Sequence, residues 1–570
     1  MSKRRAGSSS NAPRAAAPAR SARAALGAGA AGVILRPGPL SVEQVVAVAR
    51  DGVPVSIDPA AIRAMERSRG VVESLLRSGR PYYGINTGFG SLAKRRIADA
   101  DLRTLQRNLI RSHSAGTGAA LEPEVVRAMM VLLAASLSRG LSGVRPAVAH
   151  GLVAMLNAGL VPEVPSVGSV GASGDLAPLA HIALALTGEG TVLRDGGVVP
   201  ASVALAEAGL APVELAAKEG LALINGTHLM LAQACLIRAD AANLFAAARV
   251  ALAMTIDACR ASHSFLDARL AAARNHADQA AVLASLRGLL AGSTIVTSHI
   301  DNDPRVQDPY SLRAGPTILG AVASALASFA RPVIDELSAV TDNPLVFARG
   351  VLGSRADSIV SGANFHGMPL AIPLDAVAIP LAHIAGASER RSYLMTGAFE
   401  PESRLKPFLA PQPGLQSGLM IAQYTAAACV NEIVGLCTPA SVANVGTCAG
   451  MEDYNSFGPR SAAKARRILE LARTVVAIEL LIASQGIETH RPLRSGRGVE
   501  AALAVIRTLV PPLTDDRPLT ADIAAIEALI ATGTIGAERA PVPSTAPAAG
   551  STRSAAGPTG SAGRIRPARR

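Results

Sequence analysis

The chain has 570 residues, a formal net charge of +12, 49% hydrophobic residues, only 3% aromatic residues and no Trp. That length allows a large core, and apolar content so rich in alanine favours packed helices over sheets. Against a net charge of +12, eleven positive charges stand in acid-free terminal stretches, on Lys3, Arg4, Arg5, Arg14, Arg20 and Arg23 and on Arg553, Arg564, Arg566, Arg569 and Arg570, which argues against a basic nucleic-acid groove on the body.

Residues 1–32 and 539–570 are Ala/Ser/Pro/Gly/Arg-rich and read as disordered basic tails. Between them, 33–220 is broken by Gly and Pro into short elements and reads as a mixed head domain. Its stretch Thr191 to Val199 reads as a hairpin turning at Asp195-Gly196. From 221 to 538 the texture changes to a bundle of long helices. Leu229–Ala261, Ile318–Val340, Leu370–Arg391, Gly418–Gly435 and Pro459–Gln485 all exceed ordinary helix length, with Pro459 at a first-turn position. The fold class expected is all-α, an elongated bundle with a smaller head. Few charges interrupt these helices, so burying their faces calls for an oligomer as well as a core.

The apolar run from Gly367 to Ala387 holds Pro369, Pro373, Asp375 and Pro380, and is expected as a buried segment rather than a membrane span. Five cysteines, an odd number with no Cys-x-x-Cys, suggest neither a disulfide framework nor a thiolate metal site. A cytoplasmic location fits that usage, since no compact signal-peptide core stands at the N-terminus. No His/Cys/Asp cluster has ligand spacing, so no metal is expected.

The most informative stretch is Gly168-Ser-Val-Gly-Ala-Ser-Gly-Asp-Leu-Ala-Pro-Leu-Ala-His181. It is not Gly-x-Ser-x-Gly, because Asp175 stands where the last glycine belongs. It is neither a Walker A loop nor Gly-x-Gly-x-x-Gly. Read alone it is a flexible turn with Asp175 near a helix cap.

With its context, the segment resembles the signature of the aromatic amino acid ammonia-lyase family, which includes the histidine, phenylalanine and tyrosine lyases. Tyr83-Gly-Ile-Asn-Thr-Gly-Phe-Gly90, Asn225-Gly-Thr227, Val306-Gln-Asp-Pro-Tyr-Ser-Leu-Arg313, Asp342-Asn-Pro344, Asn364-Phe-His366 and Ser388-Glu-Arg-Arg391 follow in the family's order, so the resemblance covers roughly 36 to 535. It implies a helical bundle, tetramers whose sites draw on three subunits, and a cofactor made from the chain itself. In such proteins the nitrogen of the residue matching Gly174 closes on the carbonyl of the one matching Ala172. The residue matching Ser173 then loses water, giving 4-methylideneimidazol-5-one (MIO), a carbon electrophile that no ordinary side chain supplies. No external cofactor is implied.

The resemblance further implies Tyr83 as catalytic base. A phenol titrating near ~10 then needs help to ionise, which a helix N-terminus or the electrophile would give. Tyr310 is expected beside the cofactor, Asn225 donating to the cofactor carbonyl or substrate carboxylate, and Asp175 assisting ring formation. Arg313 is expected to clamp the substrate carboxylate, with Gln307 holding polar groups nearby and Phe365 packing on the substrate ring. Substrate choice falls on His113, which follows Ser112 as in the histidine lyases, and on Glu452. A carboxylate accepts an imidazole N–H but would stand unpaired beside a phenyl ring. Elimination of ammonia from histidine, giving urocanate, is the expected reaction. The alternative is a phenylalanine or tyrosine lyase or an aminomutase with the same cofactor. Met451, Tyr454, His228, Ala363, Gly315 and Thr317 depart from the family pattern and put the pocket's shape in question. A catalytically dead helical scaffold is the rival from another class; the intact Ala172-Ser173-Gly174 argues against it. No nucleic-acid or membrane partner is expected.

Overall fold

A computed structural model describes residues 32–194 and 196–536. The expected tails therefore lie almost wholly outside the described residues, as does Asp195 of the expected hairpin. The hairpin's arms are present as antiparallel strands Thr191–Arg194 and Gly197–Pro200. Helices dominate. The remaining strands are short pairs, such as Val33–Leu35 with Val55–Ile57 in parallel and Leu345–Phe347 with Ser358–Val360 antiparallel.

The helices that build the site are α1 (Leu102–His113), α2 (Leu176–Leu186), α3 (His228–Ala258), α4 (Gly315–Glu336), α5 (Met368–Ala376), α6 (Ala378–Gly397), α7 (Met420–Leu436) and α8 (Gly458–Glu488). The all-α expectation is borne out. The two longest, α3 and α8, lie against each other at the centre, and α6 packs on α8. Both are buried along most of their length, with Ala247, Ala251, Ala472 and Ala483 fully buried. Side chains this small let helix axes approach closely. One hydrophobic cluster runs from Val33 to Ile535 and takes in both halves of the described chain.

The run Leu370–Arg391 is two helices, not one, divided at Val377. Pro380 has no N–H to bond Ala376 O, so the ladder weakens at the division, where Leu381 N–H reaches Val377 O only at 3.4 Å. Three stretches, His228–Ala258, Gly315–Glu336 and Met368–Gly397, are long and apolar enough to cross a membrane by length and composition. In the second of these only 28% of the most apolar window is buried within one chain. Asp375 is buried inside the third, where its carboxylate accepts from the Ala440 and Ser441 N–H groups and lies 3.2 Å from Lys464 Nζ.

Candidate active site

The Gly168–Asp175 loop ends where α2 begins, and it is fixed from two sides. On one side Asp175 N–H donates to Gly226 O at 2.7 Å, and Gly174 pairs with Gly226 as an isolated parallel bridge. On the other, Phe457 N–H donates to Val170 O at 2.9 Å and Ser456 Oγ to Gly171 O at 3.0 Å. Gly174 has φ +77°, and a Cβ on it would run into the Gly226 backbone. Only glycine allows that approach.

Asp175 has no exposure, and the sequence left it as a cap or a helper in cyclisation. It does not cap its own helix α2. Its Oδ2 accepts from Leu229 N and Met230 N at 2.8 and 3.1 Å, capping the distant helix α3, and its Oδ1 accepts from Ser169 Oγ at 3.2 Å. Burial outweighs these bonds and pushes the carboxyl from 3.8 up to about 7. The folded protein thus holds a proton that the unfolded chain releases near pH 3.8. The resulting contribution to stability is complete below pH 3.8 and is lost as pH rises to about 7. In Asp175→Asn the amide oxygen can still accept the two α3 N–H groups while its NH2 faces Ser169 Oγ. The thermal unfolding midpoint of that variant is expected to decline less than wild type between pH 4 and pH 7; thermal melts in a pH series check this.

Ser173 is half-buried, and its hydroxyl donates to Glu452 Oε1 at 2.7 Å. Thr447 Oγ1 donates to the other carboxylate oxygen at 2.8 Å and so fixes the plane of Glu452. Sequence reading missed Thr447; the isolated bridge between Thr447 and Glu452 arises from a tight loop with no regular periodicity. Tyr83 lies close enough for Glu452 to act on it electrostatically, and its hydroxyl accepts from Gly90 N at 3.3 Å. Burial, helped by Cys448 and Glu452, raises the Tyr83 phenol above its ordinary 10. Gly90 opens the short 3-10 helix Gly90–Leu92, and its N–H is what offsets this within one chain. The help toward ionisation expected from the sequence is limited to the Gly90 N–H.

His113 closes α1. Its Nδ1 lies 2.9 Å from Leu109 O, which fixes the Nδ1–H tautomer and leaves Nε2 as an acceptor. Burial holds the ring below its ordinary 6.5, while Glu452 pulls the other way, so His113 is neutral at pH 7 and in the field of Glu452. Ala172-Ser173-Gly174, Tyr83, His113 and Glu452 therefore share one site.

Asn225 flanks the same site through Gly226. Contrary to the expectation that it donates toward the ligand, its Nδ2 already donates to Asn343 O at 3.0 Å and lies 3.4 Å from Asp342 Oδ1. Tyr310, Gln307 and Arg313 form a second cluster. The Arg313 guanidinium sits 4.5 Å from the Tyr310 ring centroid, and its Nη2 donates to Gln307 Oε1 at 2.7 Å. Tyr310 is 71% exposed, and Arg313 Nε is without a hydrogen-bond partner. Among the described residues of one chain, no hydrogen bond, ion pair or ring contact joins this cluster to Ser173 or Glu452. Phe365 is half-buried. Its neighbour His366 bonds Tyr454 O through Nε2 at 2.9 Å and accepts from Met368 N through Nδ1, a bracing role that uses both ring nitrogens. Among the described residues no group of His, Cys, Asp and Glu is arranged to hold a metal ion.

A helical bundle that presents a tightly held Ala-Ser-Gly turn to a carboxylate, a phenol and a neutral imidazole has the makings of a carbon–nitrogen lyase. The chain belongs to the aromatic amino acid lyase family, whose model matches residues 40–508. It is 48% identical over 504 residues to the histidine ammonia-lyase of Sorangium cellulosum, covering 87% of this chain and 97% of that protein. It is 46% identical to the histidine ammonia-lyase of Deinococcus radiodurans, covering 87% and 93%. Its fold is similar to the crystal structure of histidine ammonia-lyase from Trypanosoma cruzi, with TM-score 0.81, 37% identity and coverage of 89% and 94%. It is also similar to the tyrosine aminomutase of Streptomyces globisporus, with TM-score 0.82, 34% identity and coverage of 89% and 98%.

Proposed function

We propose that the chain is a histidine ammonia-lyase, eliminating ammonia from histidine to leave urocanate. The observation that carries this is the meeting of Ser173, Glu452 and a neutral His113 in one site. The residues present fit an MIO group: Gly174 has the bare backbone its closure needs, and the Ser173 hydroxyl to be lost is already held by Glu452. That group, when formed, supplies the electrophilic carbon that takes the substrate's amine.

The rest falls to side chains. His113 Nε2 accepts the ring N–H of the substrate, and Glu452 is a candidate to take the proton leaving the β-carbon. Tyr83 is the second candidate for that proton and works once its phenol is ionised. Arg313 takes the carboxylate, with Gln307 and Tyr310 orienting it and Phe365 against the ring. The lack of any bond from that cluster to Ser173 or Glu452 among the described residues of one chain supports an assembly, a homotetramer in this reading, in which a neighbour supplies it. Exposed Ile372, Ile379, Ile421 and Tyr424 on α5, α6 and α7, each more than half exposed, support the same view. The head at 33–220, the bundle at 221–538 and a cytoplasmic location complete the reading.

Purified protein should turn histidine into urocanate, followed by product absorbance. Product from phenylalanine or tyrosine instead, or a β-amino acid as the similarity to a tyrosine aminomutase would have it, overturns the choice of substrate or reaction. His113→Leu is expected to lower kcat/KM for histidine by about 10- to 100-fold, the worth of a lost hydrogen bond to a charged or polarised partner. Steady-state kinetics on histidine check it.

A further inference from the structure

Lys218 has no exposed surface, and it adopts a left-handed φ of 77° at the start of the helix Glu219–Ile224. A non-glycine residue held there is strained, and such strain persists where surrounding structure demands it. Its Nζ donates to Asp342 Oδ2 at 2.6 Å, and Asp342 is itself only 3% exposed. Neither charge is tolerable at this depth alone.

The pair leads directly to Asn225. Asp342 Oδ1 lies 3.4 Å from Asn225 Nδ2, which also donates to Asn343 O at 3.0 Å. Both amide hydrogens are thereby committed. Asn225 Oδ1 is buried and has no partner. Turning the amide over would set that oxygen against a carboxylate oxygen and a carbonyl oxygen, both acceptors. The ion pair therefore selects one orientation of the amide. Asn225 adjoins Gly226, the backbone partner of Gly174, so its amide is carried by the segment that braces the triad.

We propose that Lys218 and Asp342 are positioning residues that lock Asn225 with its side-chain oxygen toward the substrate, where it accepts an N–H of the substrate's amino group. The inference rests on the ammonia-lyase reading above. It makes Asn225 a reader of the amine and leaves the carboxylate to Arg313. The chain then distinguishes ligands by whether they carry an amine, and the buried ion pair sets that distinction from outside the pocket.

The test uses the full-length protein and two ligands that share ring and carboxylate, histidine with its amine and urocanate without one. The neutral double variant Lys218→Met/Asp342→Asn removes the bias on the amide without leaving a lone buried charge. It is expected to keep the mass deficit of two waters over the peptide spanning Ala172–Gly174. KM for histidine should rise by about 10- to 100-fold, the worth of one hydrogen bond to a charged group, while inhibition by urocanate stays as in wild type. Equal weakening of both ligands, or an unchanged KM, overturns the proposal. Should the double variant not fold, Asn225→Ala must show the same split between the two ligands, and equal losses there overturn it as well. Wild type that binds histidine and urocanate in calorimetry but forms no urocanate would defeat the ammonia-lyase reading; the ligand split, read by the same calorimetry, would still judge the role of Asn225.

Discussion

Ser173→Ala is expected to fold, to lack the two-water mass deficit over residues 172–174, and to lose at least about 10^3-fold in kcat/KM for histidine. The fold should survive because little else depends on the hydroxyl. Glu452 keeps its bond from Thr447 Oγ1 when Ser173 Oγ is gone, and one neutral donor to a carboxylate contributes only about 1–3 kcal/mol. Activity should not survive. The β-proton of an amino acid is barely acidic, so a base needs an electron sink to work against. Among His113, Tyr83, Glu452 and Asn225 there is no electrophile. Alanine at 173 has no hydroxyl to lose, so no methylidene carbon can form whatever the backbone does. Intact-protein and peptide mass spectrometry read the first part, and urocanate formation reads the second. Wild-type turnover in the variant would defeat the whole chemical reading. A missing deficit in wild type would do the same.

The fold was legible where one local signal sufficed. The run Leu229–Ala261 stands as His228–Ala258 and Pro459–Gln485 as Gly458–Glu488, because long alanine-rich periodicity and a first-turn proline act within the segment itself. The split of Leu370–Arg391 was written in Pro380 but was hidden by the apolar run around it. The site was legible as a set of residues and less so as an arrangement. Asp175 looked like a cap for the helix that follows it, yet it caps α3, whose first turn lies more than fifty positions along. Asn225 is fixed by Lys218 and Asp342, and nothing local to Asn225 says which end of its amide will be free. Tyr310 and Arg313 are legible by motif, but which groups they meet in one chain depends on how their turn packs on α4 and α6. In each case the deciding partner is distant in sequence, and spacing carries no information about it.

Arg391 shows how such a distant pairing governs stability, and its removal should be the most damaging single change in the bundle. Arg391 is 1% exposed, and its guanidinium forms a two-point pair with Glu479 at 2.5 and 2.7 Å, joining α6 to α8. Glu479, with no exposure, also accepts from Ser388 Oγ at 2.6 Å and from Thr255 Oγ1 at 2.8 Å, which brings in α3. Three central helices thus meet on one carboxylate. Arg391→Met leaves that carboxylate buried without a counter-charge and should cost about 3–5 kcal/mol of stability. Its Nη1 also lies 3.5 Å from Ser311 O, so the turn carrying Tyr310 and Arg313 loses a tether and KM should rise together with the loss of stability. The double variant Arg391→Met/Glu479→Leu should recover most of the stability. The Thr255 hydroxyl already shares Ala251 O at 2.9 Å, and the Ser388 hydroxyl has Val475 O at 3.4 Å, so neither is stranded when the carboxylate goes. Denaturant unfolding of the two single variants and the double checks this. A double variant no more stable than Arg391→Met would mean that the pair contributes through its shape and not through the compensation of a buried charge.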